Sequence, residues 1–210
     1  MRAADRNIGA VVLAGGFSSR MQRFKPLLPF GCVTVIENVI AILRESEVHG
    51  ITVVTGHRAN EIERTIAGRD IRIAFNPGYA KGMYSSVVTG IRALAAGTDA
   101  CLLIPGDMPL VTPETVRAVR QIFEQADASI VYPVFQGRRG HPTLIGAHLF
   151  SEIISGDGEG GLRTLLSRHD GGAIEVEVTD EGILIDLDTP QDYTRACELA
   201  AQRGSMRRSH

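Results

Sequence analysis

The chain has 210 residues, 22 Lys+Arg against 24 Asp+Glu for a net charge of −2, and 44% hydrophobic and 22% charged residues. That length suits one domain whose core needs no disulfide or structural metal, and the composition excludes disorder and coiled coil. Balanced charge gives no reason to expect a nucleic-acid face.

No apolar run reaches the roughly 20 residues of a membrane helix, and the opening MRAADRNIG has no secretory core, so the expectation is a cytoplasmic protein with no membrane partner. The three cysteines form no CxxC pair; Cys101 and Cys197 read as small buried hydrophobes.

Ile8–Ala14 is a continuous apolar run stopping at Gly15-Gly16, the pattern of a strand buried on both faces. Thr34–Ser46 places Val35, Val39, Ile42 and Leu43 on one helical stripe behind Thr34 as N-cap. Ile51–Gly56 reads as a strand, Ala59–Ile66 as a helix, and Ile71–Phe75 as a third strand broken by Asn76-Pro77-Gly78. A helix over Ser85–Ala96 leads to a fourth strand, Ala100–Ile104, and Thr112-Pro113 opens a helix to Ala126.

After Ser129 the rhythm changes. Ile130–Phe135, His141–Ile145, Ala173–Val178 and Gly182–Leu187 read as strands, some antiparallel. Short helices lie near Ala147–Ser155 and Gly161–Arg168, and a last helix runs from Pro190 to near Arg203. The alternation predicts right-handed βαβ units and a mostly parallel sheet in one α/β domain over residues 1–204, with 205–210 a disordered tail.

Ligands of open parallel sheets gather beyond the carboxyl ends of the strands, and three segments there carry suitable residues. In Leu13–Met21 (LAGGFSSRM) two glycines after a buried strand let backbone N–H groups approach an anion with no Cβ in the way. Arg20 and Lys25 add the positive charge that a triphosphate needs; the bland reading is a strand-ending turn with two surface cations. GxxxxGKS/T is absent, and GGFSSR is not GxGxxG. Asp107, between Gly106 and Met108-Pro109, is placed to hold Mg²⁺ or to cap the turn beneath it. Asp188 joins Asp107 on a metal, or else Asp188 or Thr189 caps the helix that Pro190 begins.

These residues resemble the nucleotidyltransferases that make the dinucleotide forms of molybdenum cofactor. LAGGFSSRMQRFK matches their LA-(A/G)-GxSxRMGxxK signature, and KPLLPF, VVTGHR, NPGYAKGMYSS, PGDMP, Gly140-His141-Pro142 and LDTPQDY follow in the family's order across nearly the whole chain. The resemblance implies a three-layer α/β/α fold with a Rossmann-like sheet of the nucleotide-diphospho-sugar transferase type. It implies transfer of CMP from CTP to the phosphate of molybdopterin with release of pyrophosphate; GTP-dependent guanylyl transfer, or another phosphate acceptor, is the alternative. A nucleotide- or cofactor-binding delivery protein is the non-enzyme alternative.

Carried over residue by residue, Leu13, Ala14, Gly15, Gly16, Arg20, Lys25, Asn76, Gly82 and Ser85 would bind the nucleotide. Lys25, Arg20 and Asp107 would be catalytic, Asp107 and Asp188 would hold Mg²⁺ (with Mn²⁺ as substitute), and His141 would face the second substrate. A recipient molybdoenzyme or its chaperone is the implied protein partner.

Two positions depart from the pattern. Gln22 stands where the family has Gly, and Gly15 gives Leu-Ala-Gly-Gly, which resembles the guanine-using branch, whereas Gly140-His141-Pro142 points to the cytidylyl branch. Gly156–Gly161 (GDGEGG) reads as a mobile loop able to act as a lid over the second substrate.

Overall fold

The computed structural model describes residues 6–21, 23–126 and 128–207, the last four by backbone alone; Gln22 and residues 208–210 lie outside the described residues. In chain order the elements are β1 (Ile8–Leu13), the hairpin strands β2 (Pro29–Phe30) and β3 (Val33–Thr34), α1 (Val35–Glu45), β4 (Ile51–Thr55), α2 (Ala59–Thr65), β5 (Arg72–Phe75), α3 (Met83–Arg92), β6 (Ala100–Pro105) and α4 (Pro113–Gln125). Then come β7 (Ile130–Phe135), β8 (Arg138–Arg139), β9 (Thr143–Gly146), α5 (Phe150–Ser155), α6 (Gly161–Ser167), β10 (Ala173–Glu177) and α7 (Pro190–Arg207).

The main sheet has the order β10-β7-β9-β6-β1-β4-β5, with β8 paired to β7. β1 runs parallel to both β4 and β6, β4 to β5, and β10 to β7, while β9 runs antiparallel between β6 and β7. Alternate side chains of the buried strands feed two cores. Ala10 and Val12 of β1 pack under α1 and α4 with Ile36, Val39, Ile40 and Val119, whereas Val11 packs under α3, α5 and α6 with Val87, Ile91, Ile153 and Leu165. That period of two is what a doubly covered strand produces.

At Gly90 a Cβ would lie 2.3 Å from Val11 Cγ1, so glycine is what lets α3 sit against β1. A third, smaller core (Met21, Leu28, Phe30, Leu110, Leu187, Ala196) joins the β2–β3 hairpin to α7.

Local signals set the helix starts. Thr34 accepts from Glu37 N while Glu37 accepts from Thr34 N, a capping box that opens α1, and Thr112 caps α4 with Pro113 in its first turn. Helix α3 starts at Met83, two residues before the expected Ser85, because Gly82 with φ 102 makes the turn, and it stops at Arg92.

One expected strand is absent. Over Gly182–Leu187 the chain makes a 3₁₀ turn, Glu181–Leu184, and then continues outside any strand. The cause is Asp180, buried at the entry: its carboxylate accepts from Gly182 N at 3.0 Å, Thr112 N at 2.7 Å and Thr115 Oγ1 at 3.0 Å, which fixes a turn against α4. Gly182 is pressed against Leu110, where a Cβ would come within 2.2 Å of the carbonyl oxygen. Ile183 and Leu187 are buried in that turn and its exit, which mimics strand alternation in the sequence.

Candidate active site

β1 and β6 are parallel neighbours whose last residues, Leu13 and Pro105, pair side by side. The chain leaves β1 toward β4 and β5 and returns to β6 on the other side of β1, so the strand order switches there. Loops from adjacent strands part at such a point and leave a crevice. A cleft of about 380 Å³ opens at that place, walled by the loop after β1, the Tyr79–Ser86 segment, the loop after β6 and the Asp186–Asp188 stretch. That volume is in the range of small-ligand sites.

Leu13, Ala14, Gly15, Gly16, Arg20, Lys25, Gly82, Asp107 and Asp188 all line the cleft. A Cβ on Gly16 would meet nothing within 4 Å, and one on Gly15 would make only ordinary contacts at 3.4 Å with Thr55 and Gly56. The fold therefore does not demand glycine at either position, and close approach of a ligand to bare backbone remains as the physical reason.

Ser18, in the left-handed region with φ 56, closes the loop by accepting from Lys25 N at 3.2 Å. The side chain of Lys25 is almost fully buried, and its Nζ donates to Asp107 Oδ2 at 3.0 Å and Asp188 Oδ1 at 2.6 Å. Arg20, largely exposed, forms an ion pair with the other oxygen of Asp188. Burial works against charge on Lys25, but Asp188 and Asp107 together outweigh it and raise its pKa above 10.5. The hydrogen bond from Lys25, with Arg20 beside it, holds the Asp188 carboxyl below its ordinary value.

No group of three or more His, Cys, Asp or Glu among the described residues gathers on one metal point. Mg²⁺ needs less than that, because it commonly takes one or two carboxylates and completes its shell with substrate phosphates and water. Asp107 and Asp188 share a single ammonium, Lys25 Nζ, which stands where a cation between them belongs. The two residues fit the ion. The strand expected to deliver Asp188 is replaced by the 3₁₀ turn and its exit, tied down by Leu187 N donating to the Asp107 carbonyl at 3.2 Å.

Three expected residues lie apart from the cleft wall. Asn76 is buried and spends its Nδ2 on Ser85 Oγ (2.9 Å) and Ser86 Oγ (3.0 Å), while Ser85 donates to the Gly78 and Gly82 carbonyls at 3.0 and 2.8 Å. Both shape the segment, and Ser86 is the serine that reaches the cleft. His141, before a cis bond to Pro142, is partly buried with Nδ1 on the Leu103 carbonyl at 3.3 Å, and burial lowers its pKa against the pull of that carbonyl and of Asp107.

Sequence reasoning missed Phe17, Tyr79, Met83 and Asp186, which also line the cleft. Burial, then Asp188 and Asp107 nearby, raise the Asp186 pKa. An aromatic inside a Gly-Gly loop, and an aspartate two residues before Asp188, were the available signals.

The model of the MobA-like NTP transferase domain matches residues 10–173. The molybdenum cofactor cytidylyltransferase of Escherichia coli is 31% identical over 91% of this chain and 96% of its own length. A protein of Mycobacterium avium named "Probable molybdenum cofactor guanylyltransferase" is 26% identical over 95% of this chain and all of its own. A Mycobacterium tuberculosis protein solved in complex with manganese superposes with a TM-score of 0.76 at 25% identity, covering 92% of this chain and 98% of that one. The mixed α/β fold expected above, with its mostly parallel sheet, is shared with a nucleotidyl transferase of Methanothermobacter (TM-score 0.80 at 32% identity, covering 93% of this chain and 98% of that one). With the matched domain covering most of the sequence, and full-length likeness to an enzyme of cofactor assembly, the chain belongs to the MobA-like NTP transferases and is a nucleotidyltransferase.

Proposed function

We propose that this nucleotidyltransferase moves CMP from CTP to the terminal phosphate of molybdopterin. An acceptor phosphate oxygen forms a bond to the α-phosphorus, the bond to the bridging α–β oxygen breaks, and pyrophosphate leaves. The observation that supports the chemistry is Lys25 Nζ shared by Asp107 and Asp188 at the switch point of the sheet. This assembles a buried cation and two carboxylates where the loop after β1 offers bare backbone to phosphates.

Transfer between two phosphates needs positioning and charge stabilisation, and the attacking group is already anionic, so no general base is assigned. Asp107 and Asp188 would hold Mg²⁺, which supplies charge neutralisation on the triphosphate when bound. Lys25 and Arg20 would then turn from these carboxylates to the phosphate oxygens. The loop amides from Gly15 onward orient the chain of phosphates, and Gly82 with Ser86 borders the nucleoside. His141 is assigned to the acceptor side, beyond Asp107.

The cytidylyl reading rests on the Escherichia coli relative and on Gly140-His141-Pro142. Gly15 favours guanylyl transfer as the second reading: an alanine would fit there without a clash, so packing does not explain its absence. The test is pyrophosphate release with each nucleoside triphosphate and each acceptor. Release with CTP and molybdopterin is expected. Release with GTP alone installs the second reading, and release only with a sugar phosphate ends the cofactor assignment. A recipient molybdoenzyme or chaperone is the expected protein partner, in keeping with the chemistry of the product.

A further inference from the structure

The mouth of the cleft carries an apolar lip that the phosphate chemistry does not use. Five large hydrophobic side chains stand exposed among the described residues, and two of them, Phe17 at 52% and Met83 at 67%, line this one cleft. Exposed apolar surface concentrated at a pocket marks a surface kept for a ligand.

Phe17 is also held in place. Its ring lies 5.2 Å from the His57 ring and 5.2 Å from that of Tyr79, tilted by 43° and 57°, and His57 lies 5.8 Å from the buried ring of Phe24. Tyr79 reaches this position because residue 56 is glycine: a Cβ there would lie 2.6 Å from the Tyr79 Cβ. His57 N donates to the Gly15 carbonyl at 3.1 Å, which fastens the aromatic group to the loop after β1. A half-exposed ring backed by two others keeps a surface toward solvent at small conformational cost.

We propose that Phe17 is a stacking platform for the nucleobase of the bound nucleoside triphosphate, with Tyr79 and His57 holding its ring and Met83 closing the opposite edge. This rests on the reading that the cleft takes a nucleoside triphosphate, and assigns to the base a contact of its own. Placement decides for the nucleobase over the ring of the acceptor. Phe17 packs against Tyr79, in the segment carrying Gly82 and Ser86, whereas Asp107 follows β6, the strand whose Leu103 carbonyl meets His141 Nδ1. Every base has a π face, so such a contact supplies affinity without choosing between cytosine and guanine.

The chain contains no tryptophan, so Phe17→Trp gives a single reporter at the point in question. In the full chain with Mg²⁺, its emission should be quenched by CTP and by GTP and left unchanged by inorganic tripolyphosphate. Phe17→Ala should weaken CTP and GTP alike by about tenfold while leaving tripolyphosphate affinity as it was, and Phe17→Tyr should restore nucleotide affinity. A Phe17→Ala loss equal for tripolyphosphate and CTP would mean that Phe17 only shapes the loop, and would overturn the proposal. Quenching by molybdopterin but by neither nucleotide would do the same. Nucleotide binding indifferent to Phe17 sinks the stacking alone; absence of nucleotide binding by the unmodified chain sinks the triphosphate reading with it.

Discussion

Lys25 joins the loop after β1 to the loop after β6 and to the entry of α7, three segments far apart in sequence. If it stabilises charge that builds during transfer, Lys25→Met should lower kcat by about 10²–10³-fold with little change in the KM for nucleotide. A rise in KM alone would make it a ground-state clamp. The same contacts carry a pH signature in chelator-treated protein. The lowered Asp188 carboxyl contributes stability above its ordinary range and loses it as pH falls through the lowered value. The raised Lys25 ammonium contributes fully below 10.5 and loses it as pH climbs through the raised value. The difference in Tm between the unmodified chain and Lys25→Met should therefore be flat around neutrality and shrink at both extremes. A difference that peaks in acid would contradict the pairing. Lys25, Arg20 and Asp107 were legible in the sequence because strand-end glycines and a Pro-stiffened turn announce them. That Asn76 and Ser85 stand behind the cleft wall was not legible, because a motif says that a segment matters, not which of its side chains faces inward.

At the scale of elements, the two roles open to Asp188 in the sequence separate cleanly. Thr189 caps α7: its Oγ1 accepts from Asp192 N at 3.2 Å, and Asp192 accepts from Thr189 N and Oγ1 at 2.8 and 2.7 Å. Asp188 is left for the cleft. Thr189→Ala should therefore cost about 1 kcal/mol in thermal unfolding and leave turnover nearly intact. Asp188→Ser should do the reverse, keeping Tm and losing turnover and Mg²⁺-dependent nucleotide binding. An active Asp188→Ser enzyme would remove Asp188 from the site and leave Asp107 as the sole ligand of the ion. Helices α1 and α4 were legible from caps and stripes, since those signals act within a few residues. The turn over Glu181–Leu184 was not, because Asp180 fixes it from partners near residue 112, and alternation of buried Ile183 and Leu187 looks like a strand from the sequence alone.

Across the whole molecule, alternating strands and helices predicted the parallel body of the sheet and some reversed strands, but not which strand turns or where it inserts. β9 runs antiparallel between β6 and β7, and that order is set by long-range pairing that leaves no local trace. The cleft at the switch point has an electrical character that follows from its membership. Among the residues lining it are two cations, Lys25 and Arg20, against three carboxylates, Asp107, Asp186 and Asp188, and both cations are already engaged by Asp188. Seen from solvent, the crevice offers little pull to a polyanion, so a bare triphosphate has no funnel to guide it in. Stopped-flow encounter with metal-free CTP should be slow and nearly indifferent to ionic strength, while the Mg²⁺ complex should associate faster, its metal displacing Lys25 and Arg20 toward the phosphates. A metal-free encounter that slows steeply with salt would show instead that the lysine and arginine face outward before the ligand arrives. On the proposed reading the pairing would set the order of arrival, with the metal-bound nucleotide entering ahead of the free one.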